Sequence, residues 1–211
     1  MFNLKRTETI LMTKEELGKF TELYGINGSK SNCFSELYVN YERLEVLKLY
    51  KDKEVFNDEG QNALSFANNS FLKRNNVVAP TIAVRTYDDR VGYLMELVNG
   101  YSLVDINEHN RISDISYNSF KKAYFKALKN IKRISKKGIV MDDLSDRNIM
   151  YDPKSKRFKF IDLDMWYYGE YSNDWTLYEN ISQFHSSFKY PKEYRKQFSK
   201  KITKVINRIS I

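Results

Sequence analysis

The sequence predicts an α+β chain in two parts: a strand-rich first half with one main helix, then a mainly helical second half. Three observations predict it. Short apolar runs bounded by polar turns recur over 22–50 and 77–97. Longer stretches over 58–74, 113–135 and 174–188 repeat apolar residues every three or four positions. Asn99-Gly100 interrupts the pattern between the halves. The boundary is therefore expected at Val98 to Tyr101, giving domains 1–98 and 99–211. Two lobes on a hinge make a cleft, where ligands usually bind.

The composition fits this. The chain has 211 residues, 42% of them hydrophobic, enough for one substantial core or two small ones. Only 3 Pro and 8 Gly are present, so no flexible linker stands out. A single cysteine, Cys33, excludes an intramolecular disulfide and a cysteine zinc cage. No run of about 18 apolar residues exists, so no membrane-spanning helix is expected. The polar start after Met1-Phe2 lacks the apolar stretch of a secretory signal. The expected location is cytoplasmic, and an effector delivered into another cell by a dedicated secretion machine would look the same. The net charge of +8 is concentrated at Lys121–Lys137 and Lys189–Arg208. It reads as solvated helical face before it reads as a nucleic-acid or lipid surface.

Along the chain, 13–21 predicts a short helix with Thr13 as N-cap and Glu16 placed for a capping box. Three strands follow by Tyr50, the first two separated by the small-residue loop 25–32. Residues 58–74 predict a helix with Leu64, Phe66, Phe71 and Leu72 inward, although Gly60 weakens its start. Strands are expected over 77–86 and 90–97 with Asp88-Asp89 at the turn. A helix over 113–135 closes on Gly138 as a left-handed cap. Short strands at 139–141, 149–151 and 158–161 follow, then helices over 174–188 and 192–209. The last carries an apolar stripe from Tyr190 to Ile206 that packs on the second lobe, with docking to a membrane or a partner as the alternative.

The chemistry concentrates in Met141-Asp142-Asp143-Leu144-Ser145-Asp146-Arg147-Asn148-Ile149 and in Phe160-Ile161-Asp162-Leu163-Asp164. Asp143 stands five residues before Asn148, and Asp162 fourteen after it. Phosphoryl transfer asks little covalent help of a protein; it needs a divalent cation on the phosphate oxygens and a carboxylate to orient the attacking group. Mg²⁺ takes hard oxygen ligands such as an Asp and an Asn from neighbouring loops, and a third carboxylate at Asp143 can accept the hydroxyl proton. The alternative is a pair of polar turns between short strands. Lys48, inside the apolar run Val46-Leu47-Lys48-Leu49, is costly to bury without an anion, unless it is an edge-strand lysine reaching water.

These segments resemble the catalytic and metal-binding loops of the protein-kinase-like superfamily, which includes the aminoglycoside phosphotransferases. The resemblance covers about residues 22 to 180. It implies a bilobal kinase-like fold, with a small antiparallel-sheet N-lobe and a reduced helical C-lobe, that binds ATP and Mg²⁺. It makes Asp143 the catalytic base, Asn148 and Asp162 metal ligands, and Lys48 the phosphate-gripping lysine. Tyr93 to Leu103 becomes the inter-lobe hinge, with Met95 behind adenine and the Glu96 carbonyl and Val98 amide on its edge. Gly28 and Ser29 belong to a loop whose backbone covers phosphate, or to an ordinary hairpin. The lysine's partner on the N-lobe helix is expected to be Glu59, with Glu54 the alternative.

The departures from the family pattern shape the reading. Met141 stands where His is usual, as an apolar spine residue. Asp142 replaces the Arg that holds a phosphorylated activation loop, so that form of activation is not expected. Ser145 stands where Ser/Thr kinases carry Lys, and Asp162-Leu163-Asp164 replaces Asp-Phe-Gly, as in the aminoglycoside branch. Asp164 adds a metal contact or caps a turn. Only ten residues lead from Asp164 to Asp174-Trp175, which mimics a buried brace of the catalytic loop or is an N-cap followed by a core Trp. Arg147 reaches phosphate or solvent. The expected activity is that of a minimal protein kinase acting on Ser or Thr hydroxyls. A small-molecule kinase and a non-catalytic nucleotide-binding scaffold are the alternatives.

Overall fold

The computed structural model describes residues 8–23, 34–108 and 115–188. Gly28, Ser29, Cys33 and the expected helix 192–209 lie outside these described residues. The fold is mixed α+β, with a mostly antiparallel six-stranded sheet and several helices. The chain divides into two compact units. One takes the described residues up to Lys73, then Val78–Val98 and Asp162–Met165. The other takes Arg74–Val77, Asn99–Ile161 and the described residues from Trp166 onward. The long break falls at Val98–Asn99, and the two short exchanged segments, Arg74–Val77 and Asp162–Met165, are ones that a single cut between residues 98 and 99 does not anticipate.

The first unit is built on strands β1 (Thr9–Met12), β2 (Thr21–Glu22), β3 (Ser35–Asn40), β4 (Glu45–Tyr50), β5 (Ile82–Thr86) and β6 (Val91–Glu96). Their order is β1-β5-β6-β4-β3-β2; β1 runs parallel to β5 and every other pair is antiparallel. β4 is central, and its alternation decides the unit. Leu47 and Leu49 point into a core with Met12, Val84 and Leu94. Val46, Lys48 and Tyr50 take the other face. Helix α1 (Lys14–Leu17) lies between β1 and β2 and opens on the expected capping box: the Glu16 amide donates to Thr13 Oγ1 at 3.2 Å and the Thr13 amide to Glu16 Oε2 at 2.8 Å.

The expected helix over 58–74 is instead two pieces. The first starts earlier, at α2 (Lys53–Val55), where Asp52 accepts from the Glu54 amide; it passes through a π-turn, Phe56–Gly60, into α3 (Gln61–Ser65). Gly60 sits inside this run because its missing Cβ leaves room for the Phe56 ring. The second piece, α4 (Ser70–Arg74), is separated by Asn68, whose φ is +54°. Asn69 starts it: its Oδ1 accepts from the Phe71 and Leu72 amides. Local side-chain capping by consecutive asparagines outcompetes helix continuation.

In the second unit, β7 (Tyr101–Ser102) and α5 (Leu103–Glu108) precede the long helix α6 (Tyr117–Ser135), capped by Ser116. Gly138, at φ +71°, ends that helix region in the left-handed conformation the sequence anticipates. Then come β8 (Ile139–Val140), β9 (Ile149–Asp152), β10 (Arg157–Phe160), β11 (Tyr167–Tyr168) and α7 (Asn173–Ser186). β9 pairs with both β10 and β7, and β11 pairs with β8. Helices α6 and α7 close on an aromatic core in which Phe158, Phe184 and Tyr124 each contact Phe188 with ring centroids 4.7–5.3 Å apart. Among the described residues no helix is long and apolar enough to cross a membrane.

Candidate functional site

Lys48 is the organising charge of the first unit. Strand alternation turns it away from the apolar core, and neighbouring strands wall it in, so its side chain is only 6% exposed. A buried ammonium needs anionic partners, and it has two: Asp162 Oδ1 and Asp164 Oδ2, each at 2.7 Å. Burial alone would depress the lysine pKa, but attraction to Asp162 and then to Asp164 reverses this and holds it above its ordinary value. Lys48 is an internal salt-bridged group and not an edge-strand lysine reaching water.

Asp164 is the more enclosed carboxylate. Tyr50 donates its hydroxyl to Oδ2 at 2.6 Å and Tyr93 to Oδ1 at 2.9 Å. Asn62 Nδ2 donates to the Asp164 carbonyl at 2.6 Å, fixing the backbone. Burial, then the charge of Asp164, pushes both phenols far above their ordinary pKa, so both remain protonated donors. Asp162 is more open, with its side chain 36% exposed, and its backbone is left-handed at φ +61°. Glu59 is half-buried nearby. Burial, then repulsion from Asp164, raises its pKa against the attraction of Lys48. Among the described residues Glu59 makes no hydrogen bond or ion pair with Lys48, and Glu54 is exposed in the first turn of α2.

The second unit carries the other motif. Asn148 is buried, and its Nδ2 donates to the Asp143 carbonyl at 2.9 Å and to Asp143 Oδ2 at 3.0 Å. Turning the amide over would set its oxygen against two oxygens, so chemistry fixes its orientation and leaves Oδ1 as the available acceptor. Asp143 is exposed at φ +55°, a strained conformation for a side-chain-bearing residue. The β9–β10 register sets Ile149 opposite Phe160, and the Ile161 amide donates to the Asn148 carbonyl at 2.9 Å; Asp162 is the next residue in the chain. A cavity of about 330 Å³ opens beside the loop, lined by Asp143, Asp146, Gln183 and the serines 145, 186 and 187 together with Leu144.

No protein-family model and no curated protein matches the chain.

Helix α7 braces the loop, through residues the sequence reading passed over. Asn180, on the buried stripe of Thr176, Leu177, Ile181 and Phe184, accepts from the Met141 amide at 2.7 Å and donates to the Ile139 carbonyl at 2.9 Å. Gln183 accepts from the Leu144 amide at 3.1 Å. A lone Asn at an apolar helix position was the available signal. Asp174 and Trp175 are both exposed, so neither a buried brace nor a core Trp stands there. Ser172 is the helix cap, and Trp175 rests on Tyr171 with ring centroids 4.1 Å apart. Tyr50 and Tyr93 were likewise missed, because a tyrosine in a strand reads as ordinary β-sheet packing.

The remaining predicted positions are ordinary in their settings. Met95 is buried on β6 opposite Val46, Glu96 is exposed, and Val98 is buried. Met141 is fully buried, as an apolar spine residue would be, and Arg147 is exposed. Asp162 and Asn148 each offer the hard oxygen that a magnesium ion takes alongside water and phosphate, whereas both oxygens of Asp164 are engaged by protein donors. Among the described residues no group of three or more His, Cys, Asp and Glu side chains is arranged to hold a metal.

Proposed function

We propose that the chain is an ATP-dependent phosphotransferase on a bilobal kinase-like fold, a minimal protein kinase acting on Ser or Thr hydroxyls. The observation that carries this reading is the 2.7 Å contact between Lys48 and Asp162. The two residues are 114 positions apart in sequence, and each stands in a segment that resembles the superfamily's phosphate and metal machinery.

The roles follow from chemistry. Lys48 holds phosphate oxygens as a point charge. Asp162 and the Asn148 oxygen would hold magnesium, which would supply positive charge to the phosphate oxygens. Asp143 orients the acceptor hydroxyl and takes its proton; Asn148 fixes the carboxylate that does so. The Asp143 cavity gives a polar side chain room beside that carboxylate; Met95 lies behind adenine, and the Glu96 carbonyl and Val98 amide meet its edge.

Incubation of the protein with γ-labelled ATP and a cell lysate, beside a Lys48→Met control, tests the proposal. Label that enters protein bands only with the unsubstituted chain is the expected result. Label confined to small solutes means a small-molecule kinase, the alternative that Asp162-Leu163-Asp164 favours. No difference from the control means a non-catalytic nucleotide-binding scaffold or no nucleotide chemistry at all.

A further inference from the structure

We infer that Asp164, clamped by Tyr50 and Tyr93, is the residue that positions Lys48, in place of a glutamate on the helical run 53–65. The inference rests on the proposed role of Lys48 in gripping phosphate, and it assigns the lysine's fixed partner to a residue that motif reading offers only as a metal contact or a turn cap.

The sheet register builds the clamp. Lys48 and Tyr50 are two apart on β4 and share a face, and Tyr93 on β6 is the direct cross-strand partner of Lys48. Three donors, an ammonium and two phenols, therefore leave one patch of sheet and converge on a single carboxylate. That carboxylate has no mobility to spare: its side chain is 9% exposed and its own carbonyl is held by Asn62 from α3. Asp162, by contrast, is four times as exposed. A division of labour follows. Asp164 is the enclosed counter-charge, with protein donors on both oxygens, and Asp162 is the more exposed partner of the same ammonium. Glu59 does not hold the anchoring role: among the described residues it makes no hydrogen bond or ion pair with Lys48, while Asp164 stands 2.7 Å from the ammonium. The π-turn that carries Glu59 packs Phe56 and Gly60 against Tyr50, with the Phe56 and Tyr50 rings 5.4 Å apart.

The test reads Lys48 directly and without nucleotide. A buried, hydrogen-bonded ammonium exchanges slowly with water and gives a ¹H–¹⁵N signal, assigned here by its loss in Lys48→Met. The expected result is that Asp164→Asn removes or strongly broadens that signal, that Tyr93→Phe and Tyr50→Phe each shift it, and that Glu59→Gln shifts it least. In the same samples, Mg·ATP titrated into Asp164→Asn binds at least tenfold more weakly than into the unsubstituted chain, and Asp164→Glu recovers part of the loss. The tyrosine variants each delete one hydroxyl and keep the test alive if Asp164→Asn fails to fold. A Lys48 signal that survives Asp164→Asn and disappears in Glu59→Gln overturns the inference. A signal that depends on Asp164 in a protein whose Lys48 never responds to millimolar Mg·ATP keeps the clamp and defeats the nucleotide reading instead.

Discussion

A buried ammonium between two carboxylates, Lys48 with Asp162 and Asp164, ties β4 to the Asp162–Met165 segment of the first unit. Such a group is asymmetric in its energetics. Replacing the whole cluster by apolar residues is often tolerated, whereas removing one member leaves an uncompensated buried charge, at roughly 3–5 kcal/mol. Lys48→Met is therefore expected to lower unfolding stability by an amount of about that order, and the double variant Lys48→Met with Asp164→Asn to lose less than Lys48→Met alone. Urea unfolding monitored by circular dichroism measures both. A Lys48→Met loss under about 1 kcal/mol would mean the cluster is a solvated surface pair of the kind that contributes little. Asp143 behaves differently, being exposed: Asp143→Ala is expected to reduce phosphate transfer by about 10²–10⁴-fold, the usual span for a general base, while the protein still binds Mg·ATP. Undiminished transfer would remove Asp143 from the reaction.

At the scale of elements, α7 supports the candidate catalytic loop through Asn180. Its side chain bonds the Met141 amide, the Ile139 carbonyl and Ser135 Oγ, all buried. Asn180→Leu preserves the apolar stripe but takes their partner from the Met141 amide and the Ile139 carbonyl, while Ser135 keeps its bond to the Ile131 carbonyl; at roughly 1–3 kcal/mol per unsatisfied buried group it is expected to cost about 2–6 kcal/mol. Asp174→Ala, at an exposed position, should remain within about 1 kcal/mol. The same helix meets α6 where Tyr124 OH and His185 Nδ1 lie 3.2 Å apart. Burial holds the His185 pKa below its ordinary value. The unfolded chain therefore binds the proton first as pH falls. This contribution to stability is complete above the unfolded histidine value of about 6.5, shrinks as pH falls through it, and stops changing below the folded pKa. Thermal melts from pH 7.5 to 5 should show that slope, and His185→Gln should flatten it; an unchanged slope would assign it to carboxylates. Elements with local codes were legible in the sequence. Thr13 with Glu16 announced a capping box, and Gly138 announced a left-handed cap. The apolar run Leu44–Tyr50 announced a strand. What was illegible depended on competition or on distance. The Asn68-Asn69 break splits a stretch whose apolar spacing reads as one helix. β1 is four residues long and gains its place only by pairing with β5, more than seventy residues away. Tyr50 and Tyr93 acquire their role only once Asp164 arrives from another part of the chain.

For the molecule as a whole, nucleotide binding and stability are one measurement. A ligand that binds only the folded chain adds about 2.7 kcal/mol at 100 times its dissociation constant. For a chain of this size each kcal/mol moves the melting temperature by roughly 2–4 °C, so saturating Mg·ATP should raise it by roughly 5–10 °C. The two compact units make calorimetry the appropriate readout, since a single optical probe would blend two transitions if the units do not unfold together. The pattern across variants carries more than the size of the shift. Lys48→Met and Asp162→Ala should each abolish the increment, measured against the variant's own melting temperature without ligand. Asp143→Ala should keep it, because that carboxylate is assigned to the acceptor and not to the nucleotide. Chelating magnesium should remove most of it from the unsubstituted chain. A net charge of +8 will draw any polyanion weakly to the surface, so ATP without magnesium and inorganic triphosphate serve as controls for charge alone. An increment that these controls reproduce in full, or that survives both Lys48→Met and Asp162→Ala, would place the bound nucleotide away from the Lys48 cluster and end the case for phosphoryl transfer there.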